Sequence, residues 1–158
     1  MNALAFVLIC VGVPASPPAD VAAVLDDWHA AAAAAQEERY FGHFAAGAVF
    51  LGTDATERWT VEEFRRYAHP YFAKGKAWSF KAVERHVAFS ADGAVAWFDE
   101  KLDTPNLGPS RGSGVLVREK GAWKVAQYNL TVPIPNDLMK EVKERIEKYE
   151  AGRPKPAR

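Results

Sequence analysis

Only one cysteine, Cys10, occurs in the chain, so no disulfide can form within it and no thiolate cluster can hold a metal. Long apolar runs are missing too: the most apolar stretch, residues 3–13, falls short of the roughly 20 residues that a spanning helix requires. Neither sign of charge is in excess, with 20 basic and 20 acidic residues. No overall field therefore draws polyanions, and lysine and arginine are nowhere interleaved with aromatics as nucleic-acid binding needs. Also lacking are a Gly-x-Ser-x-Gly elbow, a phosphate loop and a dinucleotide fingerprint; Arg111-Gly112-Ser113-Gly114 falls inside a strand-like run and has the wrong spacing. The four histidines, His29, His43, His69 and His86, sit on different predicted elements with no i,i+4 pair, so neither a metal nor a cofactor is expected.

What remains is an ordinary globular composition, about half hydrophobic and a quarter charged, enough for one packed domain. Residues 1–15 read as a secretory leader: an uncharged apolar run followed by Val13-Pro14-Ala15, which offers a signal peptidase its small residue. Cleavage would remove Cys10, leave no stable membrane insertion and place the domain outside the cell or in a periplasm; without cleavage it would be cytoplasmic. Residues 16–135 then form the domain, and residues 136–158 a C-terminal helix and tail.

Val21, Leu25, Trp28, Ala32, Tyr40 and Phe44 recur at three-to-four spacing, which predicts one long amphipathic helix ending at Ala46-Gly47. A short strand follows at residues 49–51. Thr60 with Glu63 makes a capping box, and the helix it opens should stop near His69, because Pro70 disfavours helical geometry before it. Three strands follow at residues 78–90, 94–103 and 111–119, the first two joined by the Asp92-Gly93 turn. Lys120-Gly121 then turns into a last strand, residues 122–131. After Pro133 and Pro135, Asn136 caps a final surface helix carrying the i,i+4 pairs Glu141 with Arg145 and Glu144 with Lys148.

On the last strand Trp123, Val125, Gln127, Asn129 and Thr131 should share one face. That face grades from apolar to polar, as expected of a sheet passing from packed core into a wet cavity.

The order of helix, short strand, helix and four-strand meander resembles the cone-shaped α+β fold of the nuclear transport factor two-like superfamily. The resemblance is to its SnoaL-like and ketosteroid isomerase-like branch. It spans about residues 20–133 and rests on Phe44-Ala45-Ala46-Gly47-Ala48-Val49-Phe50, on the run from Arg111 to Arg118, and on Trp-Lys-Val-x-x-x-Asn-x-Thr from Trp123 to Thr131. It implies a single domain whose curved mixed sheet wraps a long N-terminal helix around an open cavity. Carried over residue by residue, it puts Trp28 where ketosteroid isomerases hold their oxyanion tyrosine and Gly52 where their general-base aspartate sits, which disfavours a steroid isomerase. The fold itself does not choose among isomerases, cyclases, dehydratases and plain binders.

Asp54 is either a general base raised by an apolar surrounding or an Asx-turn residue. Asp99 and Glu100 must face opposite ways; Asp99, sharing its face with Val95 and Trp97, is expected to line the cavity, paired with Arg111 in a bidentate bond that either orients a ligand or pins the strands. Gln127 and Asn129 would recognise a carbonyl or hydroxyl. Of Tyr40, Trp59, Tyr67, Tyr71 and Trp97, about half should wall the cavity. The reading is thus a SnoaL-like domain binding a small apolar or amphipathic molecule. One alternative is an isomerase, cyclase or dehydratase using Asp54 or Asp99. The other is an assembly module that dimerises through Lys124, Ala126, Tyr128 and Leu130 on the outer sheet face.

Overall fold

The computed structural model describes residues 17–153; the expected leader and Cys10 lie outside them. Six strands form one mixed sheet in the order β2-β1-β6-β5-β4-β3. They are β1 (Phe44–Leu51), β2 (Arg58–Thr60), β3 (Lys81–Phe89), β4 (Val95–Thr104), β5 (Gly108–Glu119) and β6 (Ala122–Thr131). β1 runs parallel to β6, and every other neighbour pair is antiparallel. With the helices α1 (Pro17–Ala33), α2 (Glu37–Phe41), α3 (Val61–Ala73) and α4 (Met139–Ala151) this is the α+β single domain expected.

The first helix is shorter than its periodicity suggests. Ala35 takes a left-handed φ of 52°, while Gln36 N–H donates to the Ala31 carbonyl and Ala35 N–H to that of Ala32. These two bonds satisfy orphan carbonyls and end α1. The alanine-rich sequence gives no warning, because glycine usually takes this position. α1 still lays Val21, Leu25, Trp28 and Ala32 into the core at the predicted spacing.

α3 opens with the capping box: Glu63 N–H donates to Thr60 Oγ1, and Thr60 N–H to Glu63 Oε2. It then continues past His69 through Pro70 to Ala73. Pro70 removes only the bond to the Arg66 carbonyl, and both residues are exposed, so the lost bond falls on the solvent side of the helix. Burial of Phe72 against Tyr40 and Phe41 holds the last turn. The final helix is preceded by a 3-10 turn (Asn136–Leu138), and Asn136 makes no side-chain cap. On α4 Glu141 pairs with Arg145 and Lys143 with Glu147.

Two bulges set the sheet's faces. In β1 the register with β6 shifts between Phe44 and Val49, where Gly47 has a φ of 70°. In β6 Leu116 faces Val125 and Val115 faces Gln127, so Ala126 is the extra residue. One inserted residue inverts every side chain beyond it. Trp123 and Val125 point inward before the bulge, and Tyr128 and Leu130 after it. Gln127 and Asn129 therefore lie half-buried on the outer face, in cross-strand rows with Val115 and Trp97 and with Ser113 and Asp99. The expected wet face of β6 is the outside of the sheet, and Tyr128 and Leu130 are core residues that cannot form an outer contact.

Candidate functional site

The two glycines of Arg111-Gly112-Ser113-Gly114 stand on the inner face opposite Glu100 and Phe98. A Cβ at Gly112 would collide with the Tyr128 hydroxyl and come within 2.8 Å of Glu100 Oε1; one at Gly114 would strike the Gln127 carbonyl and lie 2.9 Å from the Phe98 ring. The glycines thus clear room for large side chains. Into that room α1 delivers His29, and β3 delivers Arg85. His29 Nε2 lies 2.7 Å from Glu100 Oε1, and Arg85 Nε donates to Glu100 Oε2 at 2.9 Å. Arg85 Nη1 reaches on to Asp26 Oδ1 at 2.8 Å and to the Ala22 carbonyl at 3.2 Å.

Glu100 is 0% exposed. Burial alone would raise its carboxyl, yet the hydrogen bonds and charges of His29 and Arg85 outweigh burial and hold it below the ordinary glutamate value. Burial pushes the Tyr128 phenol well up, with the Glu100 charge adding to it. Both carboxylate oxygens are committed to the chain's own donors, so this cluster ties α1 to the sheet. Oε1 also faces the Tyr128 hydroxyl at 3.5 Å, and Phe80, whose ring lies 5.8 Å from that of His29, lines the open space beside the cluster.

That open space is a cleft of about 380 Å³ at the wide end of the cone. One wall is a run of nearly parallel rings. Phe50 stacks on Phe64 at 3.9 Å, Phe64 on Trp59 at 5.5 Å, and Trp59 on Tyr67 at 4.8 Å. Trp78 closes the run against Phe64 at 5.6 Å. Opposite stand Leu130 and the β4–β5 turn with Thr104, Asn106 and Leu107. Among the described residues one charged side chain lines the cleft, Glu57. Its Oε2 accepts the Asp54 N–H at 3.1 Å, and it occupies the volume beside Gly52, where any Cβ would collide with it.

The sequence-predicted residues distribute as follows. Trp59 and Tyr67 line the cleft. Tyr40 is core, packed between Trp28, Phe72 and Trp78. Tyr71 is 47% exposed beside Tyr67 and outside the lining. Trp97 is 49% exposed on the outer face, because the inner positions of β4 are Ala96, Phe98, Glu100 and Leu102. Asp99 shares that outer face and lies 3.4 Å from His86. It does not meet Arg111, which stands across from Lys101, exposed on the same outside. Asp54 is exposed and its Oδ1 takes both Thr56 N–H and Thr56 Oγ1–H, at 2.8 and 2.6 Å; these bonds lower its carboxyl from the ordinary range. It is the Asx-turn residue. Gln127 and Asn129 are outside by the bulge, so none of these five polar residues reaches the cleft. Trp28 is buried under Tyr40 and Tyr128 and does not reach it either.

Sequence reasoning missed Glu57 and Glu100. The alternation of β4 carried the signal for Glu100, since Leu102 and Phe98 share its face; nothing periodic marks Glu57, which sits in a loop. It also missed that each histidine meets a carboxylate from a distant segment: His43 with Asp27 and His69 with Glu37, both at 2.8 Å, besides His29 and His86. No cluster of three or more potential metal ligands gathers among the described residues.

A strongly curved sheet braced by α1 and hollow at one end is the architecture of the nuclear transport factor two-like proteins. Solved structures agree on the fold. An NTF2-like protein of unknown function from Pseudomonas putida KT2440 superposes with a TM-score of 0.63 at 12% identity, over 77% of this chain and 92% of that one. An NTF2-like protein from Streptomyces avermitilis described as a candidate dehydratase gives 0.65 at 12%, over 78% and 100%. A candidate calcium/calmodulin-dependent protein kinase II association domain from Xanthomonas campestris gives 0.55 at 23%, over 77% and 94%. No curated protein matches the chain significantly. The chain belongs to the SnoaL-like domain family, whose family model matches residues 21–135.

Proposed function

We propose that this SnoaL-like domain binds a small, largely apolar molecule in the cleft between α3 and the β4–β5 turn. One observation carries the reading: the ring stack that begins in the core at Phe50 and Phe64 continues outward into the half-buried Trp59 and the exposed Tyr67, which line about 380 Å³ of open space. Apolar walls with a few polar groups are what small-molecule sites require. A ligand burying about 200 Å² of apolar surface gains roughly 5 kcal/mol before association costs, so affinities between millimolar and micromolar are expected. The reaction alternative loses both of its proposed bases, because Asp54 and Asp99 lie outside the cleft and Glu100 is committed to His29 and Arg85.

The test is a calorimetric and thermal-shift screen of aromatic ketones, lactones and medium-chain acyl compounds against the wild type and Trp59→Ala. Binding by the wild type that weakens about tenfold in the variant is expected, since ring stacking and contact area go together. No binding by any compound, or equal binding by the variant, would overturn the assignment of the cleft.

A further inference from the structure

Among the described residues, Glu57 is the one ionisable carboxylate presented to the cleft, and no cation is paired with it there. Among the described residues no lysine, arginine or histidine lines the cleft, and no cation lies within ion-pair distance of Glu57. Other carboxylates, such as Glu38, Glu84 and Glu100, hold a partner cation. Its position is built: one oxygen is pinned by the Asp54 N–H at 3.1 Å, the Glu57 N–H donates to the Asp54 carbonyl, and the Gly52 N–H donates to the Glu57 carbonyl. Gly52 supplies the room, since a side chain there would evict the carboxylate. Beside it the cleft is lined by the half-buried Trp59 and the exposed Tyr67, whose rings stack on each other at 4.8 Å.

A carboxylate left without a cation in a largely apolar hollow becomes costly once a ligand excludes water. An anionic ligand would meet repulsion from Glu57. An ammonium would meet the opposite, because a cation gains from the unpaired carboxylate. We infer that the ligand of this cleft is an organic amine: a protonated or quaternary ammonium on an aromatic or cyclic apolar body, with the nitrogen at Glu57 and the body along the ring stack. The inference rests on the cleft being the binding site, and the experiment separates the two.

Three probes share one ring system and differ in charge: 2-naphthylmethylammonium, 2-naphthalenemethanol and 2-naphthoate, titrated calorimetrically at neutral pH into the wild type, Glu57→Gln and Gly52→Ala. The amine is expected to bind the wild type roughly tenfold more tightly than the alcohol through its charge-assisted bond to Glu57, with the naphthoate weakest. Glu57→Gln keeps an acceptor for the Asp54 N–H, so it should bring the amine down to the alcohol and leave the alcohol unchanged. Gly52→Ala should reduce the preference for the amine in the same direction by displacing the carboxylate. An alcohol or naphthoate that equals the amine in the wild type overturns the charge inference and leaves the cleft standing. Loss of alcohol binding in Glu57→Gln overturns it as well, by giving Glu57 a structural role. If none of the three binds, the cleft assignment falls and this inference with it.

Discussion

Two glutamates on the concave side of one sheet have opposite lives. Under α1 the hollow is filled, and Glu100 sits there with both oxygens held, by His29 at 2.7 Å and Arg85 at 2.9 Å. At the open end, beyond the reach of α1, Glu57 keeps one oxygen on a backbone N–H and faces a hollow with no cation. The first arrangement ties α1 to the sheet. The second is the one on which the proposed ligand chemistry depends. Burial of a charged group therefore does not by itself single out a candidate site in this fold.

Removing Glu100 should have the largest effect. Glu100→Gln leaves the Arg85 guanidinium and the His29 ring short of their acceptor in the core, and breaking one side of a buried pair costs about 3–5 kcal/mol. Urea unfolding at neutral pH should read that loss, whereas Glu57→Gln should stay within about 0.5 kcal/mol of wild type, as surface changes do. Equal losses would erase the distinction.

Acid sharpens the same contrast. The Glu100 carboxyl is held below its ordinary value of 4.5 in the folded protein. Its contribution is therefore complete above about pH 4.5 and is lost as pH falls through the lower folded value. Unfolding followed from pH 6 to pH 3 should show wild type losing more stability than Glu100→Gln. Parallel curves would remove Glu100 from the account of acid sensitivity.

A smaller effect compares one substitution at two glycines. Gly112→Ala drives a methyl toward the Tyr128 hydroxyl and Glu100, both fixed in the core, and should cost about 1–3 kcal/mol. Gly52→Ala meets Glu57, whose carboxylate end can swing away while its Cβ, 2.9 Å from the new methyl, needs a small shift of the loop, so its cost in thermal unfolding should be about 1 kcal/mol. Should Gly52→Ala prove the more damaging, the loop holding Glu57 is as rigid as the core.

Much of the fold was legible locally. The Thr60–Glu63 capping box, the Asp92-Gly93 and Lys120-Gly121 turns and the apolar stripe of α1 each depend on neighbours within a few residues, and all four stand where expected. The site was not legible in the same way. Alternation along β6 assigns Gln127 to the face of Trp123, but the extra residue Ala126 reverses that assignment. On β4 alternation separated Asp99 from Glu100 without telling which was inside; a tryptophan at 97 suggested one answer, and the sheet took the other, exposing Trp97 and burying Glu100.

By itself, then, the sequence determined the family, the order of helices and strands, and the capped and turned ends that join them, because those signals act over one turn of helix or one hairpin. Which face of each strand closes on α1, which carboxylate finds His29 some 71 residues away, and which is left facing the cleft were decided only when the sheet curled. A one-residue bulge and a helix that stops at Ala35 settle those matters through packing between segments distant in the chain.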